Sequence, residues 1–213
     1  MKRLAVFASG RGSNFKAILD HIRSGFIPAT IKLCITNNPN AGVIKIAEAN
    51  GVPVQIFPPK DYRDEQAFNE AIFFALVKAE IDFIVLAGYL KLIGRQIVEK
   101  YSNKIINIHP ALLPSFGGKG MYGHHVHEAV YNRGSKISGA TVHLVNNEYD
   151  AGPIVLQKSI AIDDVKSSDE IAERVLEIEH EIFPLAVKLL VEDRLNVNGL
   201  RVTIVGEQTI GND

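Results

Sequence analysis

An amide and an imidazole lie two residues apart in the sequence NIHPALLP, as Asn107 and His109. The apolar run before them predicts a β-strand, on which residues two apart project to the same side. An imidazole transfers protons near neutral pH, and an amide N–H can donate to an oxygen that becomes negative in a tetrahedral intermediate. The pair therefore indicates acyl chemistry. The open alternative is a histidine that only hydrogen-bonds the backbone at the end of its strand.

A carboxylate, Asp150, lies in the sequence YDAGP between two later β-rich runs. Aspartate before Ala-Gly-Pro favours a turn, so this residue alone is typical of a structural role. If the turn folds over the same sheet edge, Asp150 comes close to His109, and a carboxylate beside an imidazole is a common acid–base arrangement. Since no serine or cysteine lies in a recognisable nucleophile elbow, the sequence predicts a reaction without a covalent enzyme intermediate.

The segment SGRGSN, residues 9–14, joins the first predicted strand to the first predicted helix. Glycines let the backbone approach a ligand, and free N–H groups at a helix start attract anions, so this turn suits a phosphate group. The segment matches neither the dinucleotide-binding fingerprint nor the P-loop motif. A simple tight turn between strand and helix is therefore the alternative interpretation.

Two other groups of titratable residues have weaker patterns. His124, His125 and His127 cluster after a glycine-rich stretch, but they lack a cysteine or a paired acidic ligand at a known spacing. They favour positioning of a ligand or loop, and no metal site is predicted. Glu179 lies in an acidic, helical segment and is expected, on the pattern alone, on a solvated face.

The elements that must position these residues follow an alternation of short apolar runs and longer helical segments. This alternation predicts repeated βαβ units with a parallel sheet buried on both faces. After His109, a glycine-rich loop and two β-rich runs joined by NNEYDAG predict antiparallel strands. The predicted fold is an α/β, mostly parallel, Rossmann-like sheet with helices on both faces and an antiparallel extension in the C-terminal half.

Apolar periodicity and Gly, Pro and Ser punctuation give the approximate bounds of the elements. Strands are predicted at 3–9, 31–36, 52–57, 81–89, 104–109, 139–145, 153–162 and 201–210, and helices at 13–24, 41–50, 64–80, 94–101 and 168–193. The helix at 64–80 is expected to lie on the sheet through Ala67, Ala71, Phe74 and Ala75. The last helix is predicted to be either continuous or broken near Pro184.

Composition is that of an ordinary folded domain. Of 213 residues 46% are hydrophobic, and 23 Lys and Arg against 24 Asp and Glu give a formal net charge of -1. This balance argues against non-specific binding to nucleic acid or anionic lipid. One cysteine, Cys34, excludes an intrachain disulfide. The apolar runs are too short for a signal peptide or a membrane helix, which predicts a cytoplasmic, non-membrane protein.

Several motifs together resemble those of phosphoribosylglycinamide formyltransferases. These motifs are SGRGSN, DFIVLAGYLKLI, INIHPALLPSF, ATVHLVNNEYDAGPIVLQ and EIEHEIFP, in the same order and at similar spacing. The combination of NIHPALLP with DAGPI is specific to the folate-dependent formyltransferase superfamily. The resemblance implies transfer of a formyl group from the co-substrate 10-formyltetrahydrofolate to the primary amine of glycinamide ribonucleotide in purine biosynthesis, without a metal.

The resemblance also implies roles for individual residues. Asn107, His109 and Asp150 match the catalytic residues, with Asn107 and protonated His109 stabilising the oxyanion and Asp150 organising proton transfer, through water. The residues that match the acceptor site are Gly12, Ser13, Asn14, His127 and Glu179. The residues that match the folate site are Arg63, Leu90, Lys91, Leu92, Ile93, Val145 and Asn146. The segment 115–127 is longer than the corresponding loop of the family.

One formyltransferase domain is expected over 1–213, with a phosphate-substrate-binding half at 1–100 and a folate-binding and catalytic half at 101–213. Within the superfamily, a transferase acting on initiator methionyl-tRNA and a formyltetrahydrofolate deformylase are the alternatives, and both usually carry a further domain. A non-catalytic folate- or phosphate-binding module is the alternative from another class. Monomer and homodimer both stay open.

Overall fold

A nine-stranded sheet is the centre of the protein in a computed structural model that describes residues 1–206. The strands are β1 (Lys2–Phe7), β2 (Ala29–Thr36), β3 (Val54–Ile56), β4 (Phe83–Leu86), β5 (Ile105–His109), β6 (Ile137–Leu144), β7 (Ile154–Ala161), β8 (Leu195–Asn198) and β9 (Arg201–Ile204). The helices are α1 (Ser13–Arg23), α2 (Val43–Ala49), α3 (Glu65–Lys78), α4 (Arg95–Lys100), α5 (His124–Asn132) and α6 (Ser168–Val191), with a short 3₁₀-helix at Pro59–Asp61.

The strand order is β3-β2-β1-β4-β5-β6-β7-β9-β8. The first five strands in this order are parallel, whereas β6 runs antiparallel to β5 and β7 antiparallel to β6. The predicted fold class is therefore confirmed. Because the chain moves from β1 first to β2 and later to β4 on the other side, a crevice forms beyond the carboxyl ends of β1 and β4, where open α/β sheets bind ligands.

Both faces of the parallel part of the sheet are covered, and this burial explains why β1 is mostly apolar. Leu4 and Val6 pack in the cluster that includes residues of α1, α2 and α6, whereas Ala5 and Phe7 pack in the cluster beneath α3 and α4. Alternate strand residues face opposite sides, so a strand covered on both faces needs apolar residues at every position.

The helix predicted at 64–80 exists as α3. Its predicted apolar face was wrong at Phe74, whereas Ala71 and Ala75 are partly buried against the core beside the main stripe. Asp64 caps the helix by accepting from Ala67 N at 2.7 Å. The buried side chains are Phe68, Ile72 and Leu76, whereas Phe74 is 66% exposed. Residues four apart form one stripe of a helix, and this stripe removes more apolar area from water than one made mostly of alanines.

The last helix, α6, is continuous through Pro184. Ser167 caps it by accepting from Glu170 N at 3.3 Å. Proline removes one backbone hydrogen bond, but the side chains next to it, including Phe183 and Ala186, are fully buried and hold the helix in place. The predicted strand at 201–210 is described only as β9, and residues 207–210 lie outside the described part of the chain.

None of the helices in residues 1–206 combines the length and the apolar character needed to cross a membrane.

Candidate functional site

A cavity of about 850 Å³ opens at the carboxyl ends of β1, β4 and β5. Segments after each of these strands contribute to its wall, together with the glycine-rich loop, the turn before β7 and one side of α6. The lining residues include 10–14, 86–93, 107–110, 118–124, His127, His143, Val145, 148–150, Ala172, Leu176 and Glu179. The cavity therefore lies where the strand order predicts a ligand.

His109 ends β5 with its ring almost fully buried, at 3% exposure. Its Nε2–H donates to Phe116 O at 2.8 Å, and its Nδ1 lies 3.5 Å from Asp150 Oδ1. Burial lowers the pKa of His109, and His143 acts in the same direction, whereas the Asp150 carboxylate and the Phe116 carbonyl raise it. Burial prevails and the pKa of His109 lies below its ordinary value, while the charge of Asp150 partly offsets burial and favours the protonated, hydrogen-bond-donating form of the ring.

Asp150 reaches this position because the turn after β6 folds back over the sheet edge. Its backbone is left-handed, with φ of 53°, and its Oδ2 accepts from Gly118 N at 2.9 Å. Burial raises the pKa of Asp150, but the neighbouring imidazoles of His143 and His109 and the Gly118 N–H outweigh burial and lower the pKa overall. An ionised carboxylate thus stands beside the imidazole, the juxtaposition on which the sequence argument depended.

His143 is a residue of this cluster that the sequence reasoning missed. Its Nε2 lies 3.0 Å from Asn107 Nδ2 and 3.6 Å from Asp150 Oδ1, and the side chain is buried. The available signal was a histidine within the apolar strand TVHLV, which leads directly into the turn that carries Asp150. An imidazole placed among buried apolar residues needs a polar partner, and that need marks the position.

The turn between β1 and α1 contributes backbone to the wall of the same cavity. Gly12 is the residue before α1 and has φ of 87°. A β-carbon at Gly12 would lie 2.9 Å from Val43 Cα, so α2 packs directly against the turn. The first N–H groups of α1 are free of intrahelical partners, and Arg11 also lines the cavity. This arrangement suits a phosphate.

Glu179 is buried, which corrects the expectation of a solvated face. The side of α6 that carries it packs on α1, and Asn14 Nδ2 donates to Glu179 Oε2 at 2.6 Å. Burial raises the pKa of Glu179 to about 7, although the bond from Asn14 lowers it. Among residues 1–206, Asn14 Oδ1 is buried without a partner. The pair therefore has unused hydrogen-bonding capacity at the cavity wall.

His127, on α5, is a buried imidazole on the same wall. Burial, reinforced by His124 and His109, lowers its pKa to about 4, so the ring is neutral at physiological pH. Its Nδ1 has no hydrogen-bond partner in the described part of the chain. His125 lies at the surface, and His124 lines the cavity but is half exposed; each lies 3.5 Å from a carboxylate oxygen of Glu128.

The residues predicted on the folate side divide into two groups. Those that line the cavity are Leu90, Lys91, Leu92, Ile93 and Val145. Arg63 and Asn146 lie off the wall: the Arg63 side chain is 78% exposed and pairs with Asp64 at 3.1 Å, and Asn146 is half-buried and bonds within its own turn. The cations that do line the wall on this side are Lys91 and Lys119.

No three His, Cys, Asp or Glu side chains converge as a metal site would require anywhere in residues 1–206.

Comparison with known proteins covers the whole site. The formyl transferase family profile matches residues 2–187. A phosphoribosylglycinamide formyltransferase of Bacillus subtilis (strain 168) is 42% identical over 190 residues, which are 89% of this chain and 95% of that protein. A chloroplastic phosphoribosylglycinamide formyltransferase of Arabidopsis thaliana is 41% identical over 195 residues, which are 91% of this chain and 67% of that protein.

The crystal structure of glycinamide ribonucleotide transformylase 1 from Symbiobacterium toebii has the same fold. Its TM-score is 0.90 at 35% sequence identity, and the alignment covers 96% of this chain and 94% of that one. The family match at 2–187 includes every cavity-lining residue named above.

Proposed function

The chain belongs to the formyl transferase family, and from this premise we propose that it transfers the formyl group of 10-formyltetrahydrofolate to the primary amine of glycinamide ribonucleotide. The observation that carries the proposal is the convergence of Asn107, His109 and Asp150 in one cavity that is also lined by the glycine-containing turn before α1. An acyl-transfer centre and a phosphate site in one cavity match a phosphorylated amine and a formyl donor as substrates.

The acceptor occupies the end of the cavity formed by α1 and α6. The backbone N–H groups of Gly12, Ser13 and Asn14 bind its phosphate, with the helix N-terminus supplying positive potential. With a pKa of about 7, Glu179 is partly ionised at neutral pH, and its carboxylate accepts from N–H or O–H groups of the acceptor. His127 lies on the same wall and offers one donor and one acceptor as a neutral ring.

The folate occupies the other end. Backbone and side chains of Leu90–Ile93 and Val145 form its apolar wall, and Lys91 and Lys119 are the cations placed to meet carboxylates of its glutamate. Arg63 and Asn146 do not contact the folate in this arrangement, because both lie off the cavity wall. Both proposed substrates, the acceptor and the folate, are small molecules.

Chemistry begins when the free amine attacks the formyl carbon and the formyl oxygen becomes negative. An N–H of Asn107 and the imidazolium of His109 donate to that oxygen, which stabilises the tetrahedral intermediate. In the ligand-free protein Nε2–H of His109 is bound to the neutral Phe116 carbonyl, whereas Nδ1 faces the charged Asp150. Breaking the Nε2–H bond to a neutral carbonyl costs less free energy than breaking the contact of Nδ1 with a charged carboxylate. Nε2–H is therefore the group that donates to the oxyanion.

Asp150 has two effects on this reaction. Its charge favours protonated His109, and, through a water molecule, its carboxylate accepts the proton that the amine loses on forming the C–N bond. The same proton then passes from Asp150 through the water molecule to N10 of the folate, the bond between the formyl carbon and N10 breaks, and the oxyanion returns to a carbonyl, which leaves the formylated amine and tetrahydrofolate. In a deformylase, water would attack the formyl carbon in place of the amine. The identity of the nucleophile therefore distinguishes a transferase from a deformylase.

Removing the phosphate from the acceptor tests the assignment of the turn. Glycinamide riboside without its 5′-phosphate is expected to react with kcat/KM about 100-fold or more below that of glycinamide ribonucleotide, because the helix N-terminus loses its anion. Initial rates at varied acceptor concentration give the ratio. Equal kcat/KM values for the two acceptors would contradict a phosphate site at Gly12–Asn14.

A further inference from the structure

His143 faces Asn107 across the sheet. The two residues are partners in the antiparallel register of β5 and β6, and Asn107 Nδ2 lies 3.0 Å from His143 Nε2. His143 is 2% exposed. We infer that His143 is a positioning residue that holds the Asn107 amide in the orientation needed for oxyanion stabilisation, an inference that rests on the proposed function.

The backbone decides which ring nitrogen of His143 carries the proton. Nδ1 lies 2.8 Å from Leu144 O, and because a carbonyl oxygen only accepts, Nδ1 carries the hydrogen. In the neutral ring Nε2 is then an acceptor, and the NH₂ group of Asn107 is the side of that amide that can donate to it. The reversed amide would set an oxygen lone pair against the lone pair of Nε2.

The residue whose carbonyl selects this tautomer, Leu144, is anchored by the turn that carries Asp150. Leu144 N donates to Pro153 O at 2.8 Å. Gly152 approaches so closely that a β-carbon there would lie 1.7 Å from Leu144 O and 3.4 Å from His143 Nδ1. Any side chain at position 152 would displace the carbonyl, so the glycine keeps the tautomer-selecting bond in place.

The proton on Nδ1 of His143 determines which hydrogen bonds Asn107 can make. One N–H of the Asn107 amide is bound to His143, which leaves its second N–H for the formyl oxygen. A doubly protonated His143 would instead point a hydrogen at the Asn107 NH₂ group, and Asp150 Oδ1, 3.6 Å away, would attract that hydrogen. His109 also faces Asp150, at 3.5 Å, and competes for the same carboxylate.

Two substitutions separate the two bonds of His143. His143→Asn keeps a donor near Leu144 O but removes the acceptor for Asn107, and we expect kcat to fall about 30-fold with little change in KM for either substrate. His143→Gln places an amide oxygen near the position of Nε2 and should recover much of the loss. His21→Asn is the matched control, because His21 Nδ1 also bonds a backbone carbonyl, at 2.8 Å, but lies off the cavity wall.

A double-mutant cycle shows whether His143 acts through Asn107. In the Asn107→Ala background, His143→Asn should lower kcat by less than about 2-fold, because the group it positions is already gone. Multiplied losses in the double variant, or an unchanged kcat in His143→Asn alone, would overturn the inference. A merely structural role would give such multiplied losses together with reduced stability.

Nitrogen-15 NMR of the wild-type protein tests the geometry without an activity assay. We expect His143 to show a protonated Nδ1 and an unprotonated Nε2 at pH 7, and the Asn107 side-chain NH₂ signals to shift in His143→Asn. The opposite tautomer would overturn the inference. If the wild-type protein shows this tautomer but transfers no formyl group, the proposed function fails while the local geometry stands, so the two failures are distinguishable.

Discussion

Replacing Asp150 with asparagine is expected to lower kcat for formyl transfer by about 1,000-fold while the protein stays folded. The carboxylate stands 3.5 Å from His109 Nδ1 and accepts from Gly118 N at 2.9 Å. Asparagine keeps the size of the side chain and can still accept from Gly118. It loses the charge that favours protonated His109 and the base that takes the proton of the amine.

The pH dependence of the variant gives a second readout with a definite sign. Burial lowers the pKa of His109, and Asp150 opposes this. Without the carboxylate the pKa of His109 falls further, so its protonated form is populated only at lower pH. The residual activity of Asp150→Asn should therefore rise as pH falls below 7, and its profile should lie at lower pH than that of the wild type.

A surface substitution, Asp163→Asn, is the control for the change in net charge, because Asp163 is exposed and lies off the cavity wall. Its kcat should match that of the wild type. Circular dichroism and thermal melts should show that both variants are folded. A kcat for Asp150→Asn within about 3-fold of the wild-type value would remove Asp150 from the catalytic step.

Replacing Gly12 with alanine is expected to raise KM for the acceptor about 100-fold and to lower the free energy of unfolding by more than about 2 kcal/mol. The position has φ of 87°, where a β-carbon costs about 1 to 2 kcal/mol. The same β-carbon would lie 2.9 Å from Val43 Cα, so the turn and α2 must separate. Their separation moves the N–H groups that bind the phosphate.

Gly25 provides the matched control for backbone strain. It has φ of 79°, and within the described residues no heavy atom outside its neighbours lies within 4 Å of a β-carbon built there. Gly25→Ala should therefore cost only the strain, about 1 kcal/mol, and leave KM for the acceptor unchanged. Urea denaturation and initial-rate kinetics measure both quantities. A KM change that is equal in the two variants would show that the turn at Gly12 is not the phosphate site.

Much of the fold was predictable because local signals and tertiary packing agree. The βαβ alternation follows from the apolar pattern. Gly25 after α1 and Gly51 after α2 have positive φ, which glycine adopts most readily, so both helix ends are visible in the sequence. The face of α3 was not predictable in this way. Alanines and phenylalanines lie all around that helix, and the choice of Phe68, Ile72 and Leu76 depends on which side meets the sheet.

The site shows the same division. Asn107 and His109 lie two apart on β5, and their common side follows from strand geometry alone. Arg63 was expected beside the folate, but its distance from the cavity depends on where α3 lies on the sheet. The burial of Glu179 depends on the contact of α6 with α1, and the place of His143 depends on the register of β5 with β6. Such long-range contacts leave little signal in one sequence.

The most direct test of the central claim is the consumption of 10-formyltetrahydrofolate by the purified protein with and without glycinamide ribonucleotide. We expect rapid formation of tetrahydrofolate only with the amine present, with one formylated amine formed for each folate consumed. The rate without amine should be at least about 100-fold lower, because a bound amine is aligned for attack. Equal turnover without the amine, with release of formate, would contradict a transferase and identify a hydrolase.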